Sequence, residues 1–172
     1  ARLLQLQAEC DEQGEFLAKI NQLQPKARKL YLLGNHEARI PAYVRQRAPA
    51  LESMRGLSMD SVLQASENGF ELIGREGIVL CDTRYKHGDK VAKGGGNSVI
   101  KEMEHHWRNV VMGHCHRQAT RRIRKDDREY VGAESGGLMD LSPEYVNYPD
   151  WQGGWLVNTH TDGIMDVREV RV

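Results

Sequence analysis

Two apolar runs in this chain end the same way. Leu30-Tyr31-Leu32-Leu33 leads into Gly34-Asn35-His36-Glu37, and Val110-Val111-Met112 leads into Gly113-His114-Cys115-His116. A short apolar run bounded by a turn signal reads as a strand buried on both faces. The glycine permits a tight turn and a close approach of backbone to an ion or phosphate. Open α/β sheets gather their ligands at the carboxyl ends of their strands. The chain is therefore expected to fold around a sheet with at least two such ends, each presenting side chains that can ligate a metal.

The rest of the pattern suits such a sheet. Leu3, Leu4, Leu6, Phe16, Leu17, Ile20 and Leu23 recur at helical spacing until Pro25 stops them. Strands are expected at 27–33, 70–73, 78–84 and 109–112, with Gly74-Arg75-Glu76-Gly77 as a turn signal between the second and third. Helices are expected at 37–47, at 58–65 with Ser58 as N-cap, and from Asn97 to 107 after the flexible Gly94-Gly95-Gly96. The segments 119–124 and 129–133 flank Lys125-Asp126-Asp127-Arg128 as one hairpin, and 155–160 and 164–172 flank Thr161-Asp162-Gly163 as a second. The stretch 140–152, with Pro143 and Pro149, reads as irregular loop. Strands alternating with helices, followed by hairpins, predict mixed sheets in a layered α/β sandwich. A length of 172 residues fits one domain spanning 1–172.

Charge narrows the partners only a little. Lys plus Arg equals Asp plus Glu at 24 each, so net charge favours neither nucleic acid nor a membrane surface. Basic residues do gather locally between Arg117 and Lys125. No apolar run approaches the ~18 residues of a membrane span, and no secretory signal opens the chain. Cys10, Cys81 and Cys115 cannot all pair within one chain, and reduced thiols in a cytoplasmic protein are the expected state. The chain opens at Ala1 inside a helical pattern, which suggests an N-terminal piece ahead of it.

Histidine carries the chemical information. Of seven, His36, His87, His114 and His116 follow the ends of apolar runs. Neutral imidazole suits Mn, Fe, Zn and Ni. A lone Gly-Asn-His is more often an ordinary strand-to-helix turn than a site, and a lone His87 is as readily a surface residue. Three such motifs in sequence, each at a strand end, are hard to attribute to coincidence. His105-His106 reads as a solvated helix face, His160 as packing or exposure, and Cys115 as structural filler with its thiol turned away.

Taken together, Gly34-Asn35-His36-Glu37, His87 within Tyr85-Lys86-His87-Gly88-Asp89, and Gly113-His114-Cys115-His116 resemble the third, fourth and fifth motifs of the calcineurin-like metallophosphoesterase superfamily. The resemblance runs from about Ala27 to the C-terminus, and is closest to small bacterial and phage-type members. It implies a β-sandwich flanked by helices and a dinuclear metal centre, Mn first and Fe, Zn or Ni as alternatives. It implies that Asn35, His87 and His114 bind one ion, that His116 binds the other, and that His36 contacts the scissile phosphate and protonates the leaving group. Arg39 either pairs with a substrate phosphate or is a helix-surface arginine. The implied reaction is hydrolysis of a phosphodiester or phosphomonoester by a cytoplasmic hydrolase. Nucleic acids and nucleotides are among the substrates the superfamily serves.

The sequence also departs from that pattern. Asp-x-His and Gly-Asp-x-x-Asp, the first two motifs, are absent, and Gly88-Asp89-Lys90-Val91-Ala92 lacks the second carboxylate. The chain therefore reads as a phosphoesterase domain without its first β-α-β portion, expected to hold one ion and to turn over little on its own. The alternative is a non-catalytic metal- or nucleic-acid-binding module derived from that fold, with Arg117, Arg121, Arg122, Arg124 and Lys125 tracking phosphates.

Overall fold

A computed structural model describes residues 2–139, 141 and 150–172, with side chains from residue 6 onward. The chain divides into two compact units, Ala1–Gly74 and Arg75–Val172. Most of the expected 140–152 loop lies outside the described residues.

The first unit opens with α1 (Arg2–Leu23), and Pro25 follows just beyond its end. Proline has no amide hydrogen and clashes with the preceding turn, so the helix stops before it. The apolar spacing of α1 does not become one continuous buried stripe. Leu17 is buried with Leu63, Ala65 and Phe70, whereas Leu6 and Phe16 stay exposed. Strand β1 (Lys29–Leu32) pairs in parallel with β2 (Phe70–Ile73), Lys29 opposite Phe70. Between them run α2 (Arg39–Arg47) and α3 (Met59–Leu63), which makes a β-α-β crossover. Pro41 sits in the first turn of α2, where an amide donor is not needed. Ser58 caps α3 as expected, its hydroxyl accepting from the Ser61 amide at 3.2 Å.

The second unit is built on a five-stranded mixed sheet. Its strands are β3 (Ile78–Leu80), β4 (Thr83–Lys86), β5 (Asn109–Met112), β6 (Ala119–Lys125) and β7 (Arg128–Glu134), in the order β3-β4-β5-β7-β6. The central three are parallel, and both edge strands are antiparallel to their neighbours. The expected single strand over 78–84 is in fact two strands. Cys81 and Asp82 take left-handed conformations, φ 47° and 58°, and fold β3 back on β4 in a two-residue turn. The signal Gly74-Arg75-Glu76-Gly77 does fall at a turn, over residues 75–76, and it joins β2 to β3 of a different sheet.

The two faces of the sheet are covered differently. Val110, Met112 and Tyr130 pack with Val99 and Met103 of α4 (Asn97–His106). Fully burying such side chains is worth roughly 1.5–3 kcal/mol each. On the opposite face lies a hairpin of β8 (Gly154–Thr161) and β9 (Ile164–Arg171), turned at Asp162 and Gly163 with φ 50° and 78°. The Thr83 hydroxyl meets Met165 sulfur at 3.4 Å, and the Tyr85 hydroxyl meets His160 Nε2 at 2.9 Å. Alternation along β4 explains the split: Thr83 and Tyr85 face the hairpin, and Lys86 faces α4. Among the described residues no helix is long and apolar enough to cross a membrane.

Candidate functional site

The ladder of β1 and β2 continues one residue past β1, where the Leu33 amide donates to the Ile73 carbonyl at 2.9 Å. The chain then turns through Asn35 and His36 into α2. Glu37 holds this turn. One carboxylate oxygen accepts from the Gly34 amide and the other from the Tyr31 hydroxyl, both at 2.9 Å. Burial, then the Glu37 charge and hydrogen bond, push the Tyr31 phenol well above its ordinary pKa. Glu37 is thus occupied as a clamp between strand and turn. Asn35 is half-buried, while His36 and Arg39 are exposed, Arg39 as the first residue of α2.

In the second unit, β4 and β5 are parallel neighbours with Lys86 opposite Met112. Their carboxyl ends therefore lie side by side, and the Gly113 amide donates to the His87 carbonyl at 3.0 Å. One residue further on, His87 Nε2 and His114 Nδ1 stand 3.0 Å apart, with ring planes at 67°. As a hydrogen bond, one nitrogen donates and the other accepts, according to tautomer. Gly88 makes the approach feasible: a Cβ there would lie 2.5 Å from Met112 Cε and 3.3 Å from His114 Cβ.

The Gly113–His116 turn is strained. His114 and His116 both lie in the left-handed region, at φ 69° and 56°. Such backbone costs a non-glycine residue on the order of 1–2 kcal/mol and tends to collect at functional sites. Cys115 between them points elsewhere. Its buried thiol contacts Ser98 Oγ at 3.1 Å, and burial raises its pKa. The His116 ring meets Trp151 edge to face, centroids 4.9 Å apart, and its carbonyl accepts from the Gln152 amide at 2.8 Å.

Beneath His87 lies a chain of charges. Lys86 Nζ donates to Asp89 at 3.1 Å and to the buried Glu102 at 3.2 Å, and Arg75 reaches Asp89 at 2.6 Å. The Asp89 carboxyl feels desolvation, but the hydrogen bonds and charges of Lys86 and Arg75 outweigh it and hold its pKa down. His106 Nε2 also approaches Glu102, at 3.4 Å. Even so, its pKa is lowered, first by burial and then by the Arg84 charge, which together outweigh Glu102. Lys86, next to His87, is therefore pinned to α4 through its ion pair with Glu102.

The spacing of the histidine pair is that of an N–H···N hydrogen bond, and it also equals the separation of two adjacent ligands of one ion. Two nitrogens each ~2.1 Å from one ion stand about 3.0 Å apart when they subtend a right angle, and His87 and His114 have that spacing. They would supply two adjacent positions of an octahedral ion. Among the described residues, no group of three His, Cys, Asp or Glu side chains is placed to hold one. The pair is a partial ligand set that needs further donors.

The structure thus brings His87 and His114 together and places His116 in the same turn, while Asn35, His36 and Arg39 lie in the first unit. Three supporting residues escape sequence reasoning: Glu37 as clamp, Trp151 against His116, and Lys86 between two carboxylates. Only Glu37 has a local signal, its place three residues after the strand-ending glycine. The sequence matches no family model and no curated protein.

Proposed function

We propose that this chain is the histidine-bearing part of a metal-dependent phosphoesterase of the calcineurin-like kind, hydrolysing a phosphodiester or phosphomonoester. A β-sandwich layered as in that superfamily belongs to the same reading. The observation that carries it is the His87–His114 pair, 3.0 Å apart beyond two parallel strands.

Divalent ions, when bound, would supply a Lewis acid for the phosphate oxygens and lower the pKa of the attacking water. The chain's own residues have separate tasks. His87 and His114 offer neutral nitrogens to one ion, which requires both to face it with lone pairs and to give up their mutual hydrogen bond. His116 serves a second ion. Asn35, by the resemblance, would offer a neutral oxygen to an ion. His36, exposed at a turn clamped by Glu37, is suited to deliver a proton to the leaving oxygen.

The test is hydrolysis of a chromogenic phosphodiester with added Mn. It uses the chain joined to upstream strands bearing Asp-x-His and Gly-Asp-x-x-Asp. His36→Ala is expected to lower turnover by about 10²–10⁴-fold with metal content kept. His114→Ala is expected to abolish both. Turnover that survives His114→Ala would overturn the reading.

A further inference from the structure

Directly after His116 the chain enters a cleft of about 350 Å³. Arg117, Arg121 and Arg171 line it, together with Asp150 and Glu169. The two carboxylates are already engaged. Asp150 takes Arg117 at 2.7 Å, and Glu169 accepts from the Thr120 hydroxyl at 3.0 Å. Arg121 bonds only neutral carbonyls among the described residues, those of Gly95 and Thr120. Arg171 is exposed and forms a loose ion pair with Glu169 at 3.8 Å. Among the described residues, three arginines against two carboxylates leave the cleft net positive.

The positive charge continues beyond the cleft. β6 is an edge strand, and alternation puts Arg121 and Lys125 on its α4-facing side, ~13 Å apart. There Lys125 Nζ lies 3.7 Å from the ring centroid of Trp107, a tryptophan that is 39 % exposed. A basic track that ends beside a part-exposed aromatic ring, one face of which Lys125 already covers, offers a single strand phosphate neutralisation and at most one stacking face. A cleft of this size takes one phosphate with its sugar and not a duplex.

We infer that the cleft and the α4-facing side of β6 form a binding track for single-stranded polynucleotide. Resting on the phosphoesterase reading, this makes the substrate phosphate one link of a nucleic acid strand lying from His116 toward Trp107. Arg121 and Arg171 would hold the neighbouring phosphate, and Lys125 a more distant one.

Binding can be measured apart from catalysis, by fluorescence anisotropy of a labelled oligothymidylate with the purified chain in EDTA. Saturable binding that weakens with salt is expected. Arg121→Gln and Arg171→Gln together should weaken it about tenfold or more, and lower the salt slope by roughly 0.7, the value for the one phosphate they share. Arg171→Gln alone, at an exposed residue, guards against misfolding from loss of the Arg121–Gly95 bond. Arg168→Gln removes a charge from the other face of β9 and should bind as the parent does. No binding by the parent, equal binding by the Arg121/Arg171 variant, or equal affinity for a duplex or for polyglutamate would overturn the inference. Loss of metal binding alone would count against the phosphoesterase reading and leave the track standing.

Discussion

Gly88 shows how much of the site rests on single residues. At φ 107° it occupies backbone that other residues rarely adopt, and a side chain there would press on Met112 and His114. Gly88→Ala should therefore cost about 1–3 kcal/mol, read as a lower Tm, and should weaken metal binding by spreading the imidazoles. A variant with unchanged Tm and unchanged metal affinity would show that the close packing at this turn is not required. The glycine was legible in the sequence as part of Tyr85-Lys86-His87-Gly88-Asp89. Its contact with His114 was not, because that contact exists only once β4 and β5 pair. The left-handed backbone of His114 and His116 is equally invisible in sequence, since histidine does not announce such a conformation as glycine would.

At the scale of elements, α4 ties the parts of the second unit together. Asn97 reads as its N-cap, but Gly96 occupies that position at φ 84°, and the Asn97 side chain instead donates to the Lys93 carbonyl at 2.6 Å. The helix amides are served by Glu134, at the end of β7. Its fully buried carboxylate accepts from Gly96 at 3.1 Å and from Val99 at 2.8 Å. A carboxylate is favoured at the positive end of a helix dipole. Glu134→Ala leaves buried amides unsatisfied and should destabilise the fold by about 3 kcal/mol, measured by urea unfolding. A loss below ~1 kcal/mol would mean that water or another group caps the helix. The cap was out of reach of local sequence rules, because its two halves are far apart in the chain. The hairpins at 125–128 and 161–163 were legible, since their turn residues are polar or glycine between alternating strands. The hairpin at Cys81-Asp82 was not, because cysteine gives no turn signal and the run over 78–84 looks continuous.

For the whole molecule, strands alternating with helices and ending in hairpins foretold a mixed α/β protein with a mixed sheet, and the structure has one. Periodicity does not reveal where the chain divides into its two compact units, each with its own strands and core. Of the candidate site, the order of the histidine motifs was legible, and the parallel pairing of β4 and β5 turns two of them into neighbours. The central claim is that His87 and His114 together ligate a divalent ion. Isothermal titration of the chain with Mn or Zn tests it most directly. One site per chain is predicted, weaker than a carboxylate-containing centre because its donors are neutral, and lost in both His87→Ala and His114→Ala. Binding that persists in both variants, or two tight sites in the parent chain, would contradict it.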